Sequence, residues 1–170
     1  SFISTDTKGD IYRNCGYVAA KRYGYKISVI DLRNPLKSDG FNLLHLVKKY
    51  MDEHKNNPLN ISAKAKSERY AKIVADSIIA ADGDKYGANT YFYDAAKGLI
   101  AALILIIAEY GNDKECHIVS VLKLMIELLE AKPQKKSQLK SETYFADLIK
   151  LLPPEHKARW LSGAAINNAD

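Results

Sequence analysis

Two β-type segments flank one helix-type segment at the start of this 170-residue chain, and nothing β-like follows them. Phe2-Ile3-Ser4-Thr5 reads as a short strand, broken by the polar run Asp6-Thr7-Lys8-Gly9. Ile11, Cys15, Val18 and Ala19 then recur at helical spacing, and Gly24 stands where a helix C-terminal glycine belongs. Lys26-Ile27-Ser28-Val29-Ile30-Asp31-Leu32 alternates with β-branched residues and reads as a second strand. Strand, helix and strand in this order predict a βαβ unit with parallel strands and a right-handed crossover. Two strands alone make a poor sheet, so the neighbouring strands are expected outside this chain.

After the turn-rich loop Arg33-Asn34-Pro35-Leu36-Lys37-Ser38-Asp39-Gly40 the pattern is helical throughout. Leu43 to Tyr50 begins a helix that Asn56-Asn57-Pro58 interrupts. Tyr70, Ile73, Val74, Ser77, Ile78 and Ala81 form the next amphipathic stripe, closed by Asp82-Gly83-Asp84. The segment from about Ala88 to Tyr110 is apolar all round from Leu99 onward, which predicts the central buried helix. Asn112 with Glu115 has capping-box spacing and opens a helix turning Ile118, Val121, Leu122, Met125 and Leu129 inward, ended by Lys132-Pro133. Phe145, Leu148, Ile149 and Leu152 mark a last helix before Pro153-Pro154. The expected fold is mainly α: a bundle of about five or six helices over 35–170, attached to a short N-terminal βαβ fragment over 1–34.

Hydrophobic residues at 47% and charged residues at 26% exclude disorder, collagen and coiled-coil rods. Two cysteines, Cys15 and Cys116, make no disulfide framework, and a reducing compartment is the default. The longest apolar run, Leu99 to Ala108, is half of what a membrane crossing requires. The chain opens Ser1-Phe2-Ile3 without methionine, which reads as a piece of something longer. Its net charge of +5 is unevenly laid out. Residues 1–47 carry 7 basic and 4 acidic side chains, 48–72 carry 7 and 3, 73–131 carry 4 and 9, and 132–170 carry 7 and 4. A basic start, an acidic middle and a basic end set up faces of opposite sign, with an ordinary solvated surface as the alternative.

Catalytic motifs are missing: no G-x-x-x-x-G-K-[ST] phosphate loop, no G-x-S-x-G elbow and no H-E-x-x-H pair. His45, His54, His117 and His156 are too scattered for a common metal face and read as surface or cap residues. Cys15 lies on an apolar stripe and reads as core; Cys116, near a helix N-terminus, is placed for a lowered pKa but has no partner base. Asp6 and Lys8 follow the first strand, at the edge where open α/β sheets bind ligands, and are nucleotide-proximal candidates. The alternative is that Asp6 or Thr7 caps the helix. Lys132, Lys135, Lys136 and Lys140 crowd one loop without acids, which suits sequence-blind contact with phosphates or a plain solvated connection.

Several of these segments resemble one family. Ser4-Thr5-Asp6-Thr7-Lys8-Gly9-Asp10-Ile11-Tyr12 resembles the T-D-P-K-G-E-L segment of TraG/TraD-like type IV secretion coupling proteins, the membrane-anchored, hexameric DNA-transfer ATPases of bacterial conjugation. Gly24 to Leu32 is similar to that family's next strand, and Phe41-Asn42-Leu43-Leu44 stands where it usually has N-P-L. Tyr91-Phe92-Tyr93-Asp94-Ala95-Ala96-Lys97-Gly98-Leu99 resembles its aromatic-led helix, and Leu152-Pro153-Pro154-Glu155-His156-Lys157-Ala158 a segment near the end of its helical insertion. Thr7 and Leu43 replace prolines, Asp10 a glutamate, and Phe92 or Tyr93 a tryptophan.

The resemblance implies an all-α substrate-recognition domain with the edge of a P-loop motor, on the cytoplasmic face of the bacterial inner membrane in the parent. The parent would be a homohexameric ATPase using ATP and Mg, whereas this fragment would have no cofactor, metal or catalytic residue of its own. Implied partners are a relaxase or relaxosome, secreted proteins, other type IV secretion components and, as a further candidate, DNA. Asp76, Asp82, Asp84 and Asp94 are then candidates for capturing a basic transport signal, and Lys132, Lys135, Lys136 and Lys140 for touching DNA phosphates. Two other expectations stay open: a structural spacer of the motor, and a free-standing helical DNA-binding regulator.

Overall fold

A computed structural model describes residues 2–79, 90–130 and 144–167. Seven α-helices occur among the described residues: α1 Asp10–Tyr23, α2 His45–Asn56, α3 Ile61–Ile79, α4 Thr90–Tyr110, α5 Ile118–Leu129, α6 Tyr144–Leu151 and α7 Lys157–Asn167. The chain divides into two compact units, Ser1–Phe41 and Asn42–Asp170. The expected boundary lay after residue 34. The loop beyond it stays with the first unit because it folds back on the preceding segment. Asp39 donates its backbone N–H to the Val29 carbonyl at 2.8 Å, and its carboxylate accepts from the Val29 N–H at 2.6 Å.

The first unit corrects one expectation. No strand forms among the described residues: 2–5 and 26–32 lie outside the helices and share no ladder. Phe2 lies edge-on to Tyr25, ring centroids 6.2 Å apart, and the Arg33 guanidinium donates to the Thr7 carbonyl. The two segments therefore run in the same direction, as in a βαβ unit. Their edges are spent otherwise: Val29 pairs with Asp39, and the Asp31 N–H donates to the Ser38 hydroxyl at 2.8 Å. A parallel pair without neighbouring strands is too weak to displace such local bonds. α1 ends at Gly24, whose φ of 68° lies in the left-handed region that favours glycine. Its stripe has no core to enter, since Gly16 alone is buried in this helix and Cys15, expected inside, is exposed.

The second unit is built around α4. Ile100 through Ala108 are buried without interruption, against α2, α3, α5 and α7. α4 is long and apolar enough to cross a membrane by length and composition; here that hydrophobicity supplies the core. Asn42 opens α2, accepting from the Leu44 N–H at 2.9 Å, while its amide donates to the Cys116 carbonyl at 2.8 Å and so ties the start of α2 to the start of α5. α3 presents Ala63, Ser67, Ala71 and Ala75 to the core, not the larger Ile73 and Ile78, which are exposed. Small side chains let the helices approach closely, and the buried Ser67 hydroxyl is satisfied by the Val47 carbonyl at 2.9 Å.

α5 starts later than capping-box spacing predicts. The Glu115 carboxylate accepts from the Asn112 N–H at 3.0 Å, but this closes a separate turn, and His117 is the N-cap, accepting from the Ser120 N–H. Val121 is buried and Ile118 and Met125 partly so, whereas Leu122 is exposed; the Leu129 side chain lies outside the described residues. α6 forms as expected, with Phe145, Ile149 and Leu152 buried. α7, beyond the proline pair, was not anticipated. The buried His156 sets its start: Nδ1 accepts from the Ala158 N–H at 3.1 Å, so Nε2 carries the proton and donates to Glu109 of α4 at 2.9 Å.

Candidate functional site

Asp76 near the end of α3 and Asp94 in the first turns of α4 are brought together by Lys97. The Lys97 ammonium lies 4.0 Å from Asp76 and 3.7 Å from Asp94. These three and Lys72 rim a depression of about 210 Å³ with Ala75, Gly98, Ala101 and Leu161 beneath. Small-molecule sites typically begin at about 300 Å³, and this hollow has the size of one inserted side chain. Both carboxylates are more than half exposed, and exposed pairs of this kind are worth only about 0–1 kcal/mol. Asp82 and Asp84, expected in the same cluster, lie outside the described residues, as do Lys132, Lys135, Lys136 and Lys140.

Asp6 takes the capping role. Its two carboxylate oxygens accept from the Gly9 N–H at 2.8 Å and the Tyr12 N–H at 3.0 Å, binding the first turn of α1. The bond from Tyr12, with further backbone donors, holds its carboxyl below the ordinary value. Lys8 is exposed, and its carbonyl accepts from Arg13 at 2.8 Å. Asp6 and Lys8 thus belong to a braced turn, and both Asp6 oxygens are already engaged.

Cys116 reverses the effect expected of a helix N-terminus. It sits before the His117 cap, and burial pushes its thiol up from the ordinary value. Beside it, burial pulls the Lys48 ammonium down, but the Asp52 and Asp113 carboxylates, at 3.0 and 3.5 Å, outweigh burial and raise its pKa overall. No group of three potential metal ligands occurs among the described residues.

A surface on α2, α3 and α7 escaped the sequence reading. Tyr50 and Tyr70 stack face to face, centroids 5.6 Å apart, and Lys66 and Lys157 stand over the rings of Tyr50 and Trp160. The excess of base over acid in 48–72 was its one visible sign, since the pairing of Tyr50 with Tyr70 depends on how α2 packs on α3. No family model, curated protein or solved structure matches the chain.

Proposed function

We propose that the chain is the helical substrate-recognition part of a TraG/TraD-like coupling ATPase, with residues 1–41 as the edge of its motor. The observation supporting this most is the unfinished first unit. Two non-helical segments run in the same direction on either side of a helix, no ladder joins them, and Phe2, Ile3, Ile30 and Leu32 are exposed. A βαβ edge of this kind acquires its ladder and apolar cover only from further strands. The P-loop sheet of the parent would supply them, together with the groups that hold ATP and Mg.

In this reading the second unit selects cargo. The Asp76–Lys97–Asp94 depression accepts a basic side chain from the transport signal of a relaxase or secreted protein, with opposite charge steering the encounter. Asp82 and Asp84 extend the acidic surface in sequence. In this reading the fragment binds cargo, while ATP binding and hydrolysis, hexamer assembly and membrane anchoring belong to the parent.

Reversal of Asp76, Asp82, Asp84 and Asp94 to lysine tests this in a pull-down with a relaxase or effector tail. Binding is expected to fall by about tenfold or more, the size of effect that one to two lost charge pairs produce. Unchanged capture would remove the acidic surface from the account.

A further inference from the structure

A strip of cations runs across the second unit with aromatic rings at both ends. At one end Tyr50 of α2 stacks on Tyr70 of α3, interplanar angle 2°, and the Lys66 ammonium stands 5.2 Å from the Tyr50 centroid. Arg69 follows one turn beyond Lys66 on α3, and Lys72 one turn beyond Arg69. Arg69, Lys72 and Lys157 of α7 line a depression of about 340 Å³. At the far end Lys157 lies 5.8 Å from the centroid of Trp160, whose side chain is 70% exposed. The indole N–H of Trp160 is fixed to the Pro154 carbonyl at 3.1 Å, which holds the ring in place at the surface.

The carboxylates on this surface are few. Glu68 lines the depression, and Glu53 stands one turn from Tyr50 on α2. Asp76 and Asp94, beyond Lys72, share the single ammonium of Lys97, which leaves one negative charge over. Among the described residues neither Lys66, Arg69, Lys72 nor Lys157 makes an ion pair. Lys66, Arg69 and Lys72 are exposed and Lys157 is half-buried, with Glu68, Glu53 and the exposed Glu155, two residues before Lys157, as the neighbouring carboxylates.

We infer that this strip is a binding track for single-stranded nucleic acid. Unpaired cations in a row suit a phosphate backbone, and an exposed ring of fixed orientation suits an unpaired base. An acidic protein segment would satisfy the cations but would leave Trp160 without a planar partner. The track borders the acidic depression at Lys72, which lines both, lies on other residues than the 132–140 lysines, and holds whether or not the chain derives from a coupling ATPase.

Trp160 is the chain's single tryptophan, so its intrinsic fluorescence reports stacking directly. The test is titration of the full chain with oligothymidylate of about twelve nucleotides, within the usual site size of such tracks. Trp160 emission is expected to be quenched, with log K falling against log salt at a slope of about −2 to −3 for three or four cations. The Arg69→Glu, Lys157→Glu double variant is expected to bind about tenfold more weakly or worse, with unchanged helical circular dichroism. If reversal lowers the helical signal, Arg69→Gln with Lys157→Gln reads the same loss without adding charge. Replacing Lys132, Lys135, Lys136 and Lys140 by glutamine is expected to leave the quenching in place. Absence of quenching at low salt, or full affinity in the double variant, overturns the inference. Equal quenching by oligoglutamate overturns it too, and reassigns the strip to an acidic protein.

Discussion

Gly98 of α4 meets the backbone carbonyl of Leu161 in α7 so closely that a Cβ on Gly98 would fall well inside the van der Waals limit of that oxygen. Backbone cannot swing aside as a side chain does, so this contact fixes both the helix crossing and the floor of the acidic depression. Gly98→Ala is expected to cost about 1–3 kcal/mol, the usual range for overpacking, and to lower the melting temperature by several degrees. Gly163, also in α7, meets nothing within 4 Å, and Gly163→Ala is expected to stabilise by about 0.5–1 kcal/mol through helix propensity. Thermal melts of the two variants check the pair. Equal shifts of the same sign would contradict the close approach.

Asp6 titrates in a definite direction. Folding lowers its carboxyl below 3.8 because the charged form accepts the Tyr12 and Gly9 amides. Its contribution to the first unit is therefore complete above 3.8 and is lost as pH falls through the lower folded value. The Gly9 and Tyr12 amide resonances are expected to move together with a midpoint below 3.8, and to show no such transition in Asp6→Asn. A midpoint at or above that value would contradict the cap.

The two cysteines are expected to separate by reactivity. Cys15 is exposed, whereas Cys116 is buried with its thiol pushed up by burial. Iodoacetamide at neutral pH is expected to modify Cys15 at least about tenfold faster, since alkylation needs an accessible thiolate. Peptide mapping over a time course measures this, and equal rates would mean that the start of α5 is open.

Lys97 holds Asp76 and Asp94 in competition with any incoming cation. Lys97→Gln is expected to tighten binding of a basic tail peptide several-fold, while Asp94→Asn weakens it by a similar factor. Calorimetric titration at low and physiological salt reads both effects. Identical affinities in the two variants would separate the depression from basic-tail binding.

The helices built from large, periodic apolar residues were legible in the sequence. The unbroken run in α4 gave the core helix, and Phe145, Leu148 and Ile149 marked α6. α7 was not legible because its buried positions include Ala158 and Ser162, small residues selected by close approach to α4 and Gly98. The inward face of α3 was legible in part: Tyr70 and Val74 pack against the core, but its buried positions are the small Ala71 and Ala75, and Ile73 is exposed. The first two segments have strand pattern without strand pairing, since a ladder depends on a neighbour and not on propensity alone. At the acidic site, Asp76 and Asp94 were named from charge, but their sharing of one lysine depends on how α3 lies along α4. The aromatic strip combines residues up to 110 positions apart, Tyr50 and Trp160, and no local pattern joins them.

The proposed function assigns the choice of cargo to residues 42–170. Exchanging this unit, in the full-length parent, for the helical domain of an unrelated coupling protein tests it most directly, with transfer of each system's own substrate as the readout. The account predicts that substrate choice moves with the helical unit. If choice stays with the motor and the chimaera still transfers the original cargo, the unit is a spacer and the claim is contradicted.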